Sequence, residues 1–137
     1  MENFDFKKII IGSITGVIIS LVIGVILFWL TFATVKSYDA GVFSAGYTEF
    51  SFVIGVLIAA IISGLKQNDI ISAGITGFII ALLTTLLEGF VLKLFWDPMR
   101  IQYIMGYWGN HAVILIFVGI VVSIGFNQFF QKKIKLK

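Results

Sequence analysis

Four apolar runs, none containing a charge, restrict this chain more than any motif it carries. The first covers residues 9–35, 27 positions of which 17 are Ile, Leu, Val or Phe. At about −0.3 to −0.6 kcal/mol for each such residue, it favours bilayer insertion by roughly 5–10 kcal/mol. About 20 apolar residues cross a hydrocarbon core of about 30 Å, so this run spans with some tilt or overhang. Residues 50–65 form a shorter run, which reaches spanning length if its helix starts near Val42 and leaves Glu49 at the rim. The third run, 70–87, continues past Glu88 towards Leu92, and the fourth covers 112–131.

Composition points the same way. The chain is 59% hydrophobic and 12% charged, with a mean hydropathy of +1.06, whereas soluble domains carry about 25% charge. It cannot cover a globule of its size with polar surface. The absence of cysteine excludes a disulfide scaffold, thiolate metal sites and thiol nucleophiles. The charges flank the apolar runs instead of forming a patch, so nucleic acid is not an expected partner. The expectation is an all-α membrane protein, a single integral membrane domain over 1–137 with transmembrane helices at 9–35, 42–65, 70–92 and 111–131. A cleaved signal peptide fits the first run poorly. Secretory apolar segments are about 7–15 residues and follow a basic stretch; here Glu2 and Asp5 offset Lys7 and Lys8, and no small-residue cleavage site follows.

Orientation follows from basic residues in the short flanks. Lys7, Lys8, Lys66, Lys132, Lys133, Lys135 and Lys137 fall on one side, and Lys36, Lys93 and Arg100 on the other. A multi-pass protein of the cell membrane with both termini cytoplasmic is expected. The basic tail suits an anionic leaflet at about 1 kcal/mol per charge, and reads as a stop-transfer anchor before a lipid-recognition site.

Small residues recur every four positions. The first helix has Gly12, Gly16, Ser20 and Gly24; the second has Gly55, Ala59 and Ser63, with Ala60 and Gly64 one step behind. The third has Ala73, Gly77, Ala81 and Thr85, and the fourth Gly119 and Ser123. Such spacing keeps them near one helix face, where missing side chains let backbones approach. A compact, small-residue-packed bundle is expected. A faint repeat also joins residues 14–21 to 75–82, sharing a Thr-Gly pair. The second and fourth helices align less well, Gly55 and Ala59 with Gly119 and Ser123. Either two parallel hairpins repeat, or Ile-rich spans of four-residue period simply look alike; both readings stay open at this level. A true repeat with an even number of spans would be parallel, unlike the inverted repeats of many transporters.

The central hairpin, residues 54–60, the polar turn Lys66-Gln67-Asn68-Asp69 and residues 73–77, resembles a group of small, mainly archaeal, four-helix membrane proteins catalogued as a domain of unknown function. The likeness covers about 30 of the 137 residues, and the chain departs from the group in having more Ile and Phe and less Gly. It implies a fold and brings no activity or catalytic residue.

Between the runs, residues 37–48 read as an external loop leading into the second helix. Asp97-Pro98 is a helix-start signal, and Ile101, Ile104, Met105 and Trp108 then share one face. A short interfacial helix over 98–108, ended by Gly109-Asn110, is expected, with a substrate lid as the functional alternative.

Few polar groups sit at membrane depth. Glu88 lies about 27 Å up the third helix from Ile70, near the outer boundary. It reads as an interfacial acid paired with Lys36, Lys93 or Arg100, an exposed pair worth no more than about 1 kcal/mol. Its sharper reading is an ion- or proton-handling carboxylate. His111 opens the fourth helix at the same boundary, and a metal or proton-relay role there would need Glu88 or Asp97 as partner. Nucleotide-binding loops, zinc-protease and serine-hydrolase motifs are missing from the sequence, so neither an enzyme nor a cofactor is expected. Two readings follow. One is a small non-enzymatic membrane protein that packs with itself as a homo-oligomer or with a larger membrane complex. The other is an oligomeric channel or transporter with Glu88, His111 and Asp97 around an outer polar mouth.

Overall fold

The computed structural model describes residues 5–34, 42–95 and 101–135, with side chains at 5–30, 50–91, 94 and 111–133. It holds four helices: α1 (Phe6–Thr34), α2 (Val42–Lys66), α3 (Ile70–Phe95) and α4 (Ile101–Lys135). Three of them, α1, α3 and α4, are long and apolar enough to cross a membrane, and α2 carries a shorter apolar stretch, Phe50–Lys66. Lys36, Asp97 and Arg100 lie outside the described residues, as do the loop ahead of Val42 and the side chain of Lys93.

Local chemistry sets two of the helix starts. Asp5 Oδ1 accepts the Lys8 N–H at 3.1 Å and caps α1. Asp69 caps α3, accepting the Ser72 N–H at 2.8 Å and the Ser72 hydroxyl at 2.6 Å. The Ser72 hydroxyl bond holds the Asp69 carboxyl below its ordinary value. Between them α2 and α3 are joined only by Gln67, Asn68 and Asp69.

α4 differs from the expected pair of helices. It runs without a break through Gly109 and Asn110, joining the proposed interfacial segment to the fourth span. A single Gly costs a helix only about 1 kcal/mol relative to Ala. Neither residue adopts the positive φ that would end the helix.

α2 and α3 form the centre. Each touches the other and both outer helices, whereas α1 and α4 make no contact among the described residues. Polar bonds fix which ends meet. Lys8 Nζ donates to Asn68 Oδ1 at 2.5 Å, and Gln131 Nε2 donates to the Asn68 carbonyl at 3.2 Å. The start of α1, the α2–α3 turn and the end of α4 therefore share one end of the bundle. Asn127 Nδ2 donates to the Gly64 and Gln67 carbonyls, both at 2.9 Å, and so ties the end of α2 to α4, where the Gly64 carbonyl also accepts the Gln67 N–H at 3.2 Å.

The interior is polar and small, the exterior apolar and large. Ser20, Ser63, Thr76, Thr84, Ser123 and Asn127 are buried, while Ile14, Ile18, Val22, Phe90, Phe117 and Phe129 face outward. Every small residue of the four-residue pattern, from Gly12 to Ser123, is buried. Larger apolar side chains are buried as well: Phe28 packs on Phe52, Val56 packs with Ala81 and Leu115, and Ile9, Val17 and Ile80 are buried outside these two clusters.

At the helix crossings, backbone meets backbone. A Cβ on Gly77 would land on the Gly119 carbonyl, and one on Gly119 on the Gly77 carbonyl. Two serines add hydrogen bonds beside such contacts. Ser63 Oγ donates to the Gly12 carbonyl at 3.1 Å, and Ser123 Oγ to the Ala73 carbonyl at 2.8 Å. These bonds place Ser63, not Ala59, in the position matching Ser123, one turn away from the alignment read in the sequence.

Gly16 differs from Gly77 in that a Cβ there meets side chains, those of Ile80 and Ser63, and not a facing backbone. Gly77→Ala should cost about 1–3 kcal/mol in a steric-trap or denaturant assay, as overpacking does elsewhere. Gly125, with nothing within 4 Å of a Cβ, should gain up to about 1 kcal/mol on replacement by Ala. Equal effects at the two positions would contradict the crossing geometry.

A buried carboxylate–imidazole pair as the candidate functional site

The helices that cross at Gly77 and Gly119 bring two ionisable groups together further along. Ala81, Thr84, Thr85 and Glu88 fall at i, i+3, i+4 and i+7 on α3, and all are buried. On α4, His111, Leu115, Gly119, Ser123 and Asn127 fall every four residues, and all are buried. Glu88 and His111 therefore lie on the packing faces of adjacent helices. Their side chains are each 6% exposed, and His111 Nε2 stands 2.7 Å from Glu88 Oε1. The atoms are at ion-pair distance but not aligned as a directed hydrogen bond, and His111 Nδ1 has no hydrogen-bond partner among the described residues.

Glu88 is buried beside His111, where the sequence suggested an exposed acid; the side chains of Lys36, Lys93 and Arg100, its expected partners, lie outside the described residues. The reason is helical phase. Glu88 follows the α3 seam of Ala73, Gly77, Ala81 and Thr85, so a Glu in that register has no route to the surface. α3 continues seven residues beyond it and α4 begins ten residues before His111, so the pair lies inside the helical layer, away from the helix ends. Asp97, the third residue of the expected polar mouth, lies outside the described residues.

The chemistry available to such a pair is limited. Among the described residues, no group of three His, Cys, Asp or Glu side chains lies close enough to hold a metal ion. An imidazole against a carboxylate can share or pass one proton, and opposite charges there would stabilise each other in a poorly solvated site. Further along the same seam, Thr85 and Thr76 return their hydroxyls to their own helix, to the Ala81 and Ser72 carbonyls at 2.8 Å each. Ser20 and Thr84 join hydroxyls between α1 and α3.

Set against protein-family models, curated proteins and solved structures, the chain matches none of them. What can be said of its site comes from its own residues.

A double-mutant cycle reads the pair directly. Glu88→Ala and His111→Ala should each destabilise the bundle, and together by less than their sum, with a coupling of about 1–3 kcal/mol. Strict additivity would mean that the two side chains do not interact in the folded protein.

Proposed function

We propose that this chain is a small, non-enzymatic, multi-pass protein of the cell membrane whose four helices all span the bilayer, with both termini in the cytoplasm. Its role is to pack, either with further copies of itself or within a larger membrane complex. The observation that carries this reading is the distribution of residues: buried Ser and Thr line the helix contacts, while large exposed Ile, Val, Leu and Phe side chains form broad outer faces. In water that arrangement would expose broad apolar faces; in lipid it matches the solvent and leaves backbone contact to hold the helices together. α4 is the span with the smallest share of its residues buried, and Val113, Phe117 and Val121 form one line along its outer face. That line is the best candidate for a partner contact. The matching bonds of Ser63 and Ser123, one in each hairpin, support a parallel two-hairpin repeat. A link to the archaeal four-helix group would account for the same fold without adding an activity.

Native mass after mild solubilisation tests the packing role. A homo-oligomer or a stable complex with another membrane protein is expected, and a monomer with no partner would contradict it. Sidedness is separately testable because the chain has no cysteine. Ser37→Cys should react with an impermeant reagent in intact cells, and Asn68→Cys, in the exposed α2–α3 turn, only after lysis. The reverse pattern would overturn the topology.

A second reading has one specific observation in its favour, the buried Glu88–His111 pair. Ionisable residues at membrane depth mark proton or ion pathways often enough that this one supports an oligomeric channel or transporter. In reconstituted vesicles that reading requires a proton- or cation-dependent flux in the native protein that Glu88→Gln abolishes. No flux from either protein leaves the packing role in place.

A further inference from the structure

A half-open cavity of about 320 Å³ lies between α1 and α2 near the α2–α3 turn. Lys8 and Lys66 line it, the hydroxyl side chains of Thr15 and Ser63 lie in its wall, and Ile11 and Ile62 form its apolar sides. Among the described residues no carboxylate lines it. The nearby acids are committed elsewhere, Asp5 to the backbone N–H of Lys8 and Asp69 to Ser72. Among the described residues neither lysine forms an ion pair. Lys8 uses one of its three N–H donors on Asn68, which holds the ammonium in place and leaves two donors for a ligand.

The cavity is graded from charge to grease. Lys8 sits at the turn end, and Thr15 lies seven residues further along α1, about 10 Å towards the middle of the helices. Ile11 is 55% exposed on the outer surface of α1, so the cavity opens sideways, towards where acyl chains would run. Basic pockets between helices at the cytoplasmic surface are suited to anionic head groups.

We propose that this groove binds an anionic glycerophospholipid, its phosphate held between Lys8 and Lys66 and one acyl chain lying along Ile11 and Ile62. The basic tail, by contrast, is a string of exposed lysines with no cavity, and attracts anionic lipid without selecting one. The proposal rests on the membrane reading above, and goes beyond it by assigning a ligand site.

The test uses the purified full chain in neutral detergent, with dioleoylphosphatidylglycerol, dioleoylphosphatidylcholine and inorganic phosphate as separate probes, and adducts read by native mass spectrometry. Phosphatidylglycerol should bind well above phosphatidylcholine, and inorganic phosphate should not displace it at equal concentration. Lys8→Gln with Lys66→Gln should weaken phosphatidylglycerol binding about 25-fold, about fivefold for each lysine. Lys132→Gln with Lys133→Gln removes the same charge from an exposed stretch and should change binding less than twofold. Equal losses in the two double variants would overturn the site, as would equal binding of phosphatidylcholine. Displacement by inorganic phosphate would make free phosphate the ligand and overturn the lipid. If the double variant does not fold, Lys66→Gln alone, at an exposed position, should still lose about fivefold, and unchanged binding would overturn the proposal. Extraction of the native chain from membranes by alkaline carbonate would sink the membrane reading itself; retention without phosphatidylglycerol preference sinks only the groove.

Discussion

Two helix backbones meet at Gly77 and Gly119 with no side chain between them, and much of this fold depends on contacts of that kind. If the helices span a bilayer as proposed, lipid supplies no hydrophobic force between them, and what holds them is dispersion at close range and hydrogen bonds that lipid cannot offer. Close approach makes the serine bonds possible. Ser123 reaches the Ala73 carbonyl, and Ser63 the Gly12 carbonyl, because glycine and alanine leave those backbones open. Each carbonyl so used already accepts within its helix; the second lone pair takes the serine. The bundle is therefore held by many small polar contacts beside the buried apolar side chains of Phe28, Phe52, Val56, Ile80 and Leu115.

That constraint also explains where the ionisable residues fall. A seam built from small residues has room for a longer polar side chain only where the facing helix offers it a partner, a backbone carbonyl for Asn127 and an opposite ionisable group for Glu88 and His111. Glu88 and His111 fill that place between α3 and α4, one turn or more beyond the closest crossing. At the other end Asn127 and Gln67 occupy the seam, and Asn127 donates to the carbonyls at the end of α2. The interior thus runs from an amide cluster, through serine and threonine, to one acid–base pair. Lys7, Lys66, Lys132 and Lys133 are exposed at the end where the α2–α3 turn meets both outer helices.

Much of this was legible in the residues. Uncharged runs of spanning length give helices, and a four-residue period of Gly, Ala and Ser names their inner faces, because that period is a property of the helix itself. Glu88 and His111 were harder to place. Distance along the chain puts both near the outer boundary, which suggested an exposed acid, but exposure depends on phase, and extending the seams, one turn past Thr85 on α3 and two turns before Gly119 on α4, assigns both to the interior. Gly109-Asn110 looked like a helix end because both residues favour the left-handed conformation; with helix on either side, α4 carries through. The Asp5 and Asp69 caps were also within reach, each an Asp three residues before the N–H it accepts. The groove was not, since Lys8 and Lys66 are far apart in sequence and only the α1–α2 packing brings them to one cavity.

The central claim is that this bundle is inside-out, with small polar faces in contact and apolar faces in lipid. Spin labels attached one at a time along α1 and α4 in bilayers, in a chain with no native cysteine, read lipid contact through collision with oxygen. The account predicts a helical period in oxygen accessibility, high at Ile14, Ile18, Val22, Phe117 and Val121 and low at Ser13, Ser20, Leu115 and Ser123. A flat profile, or maxima at the serines, would contradict it.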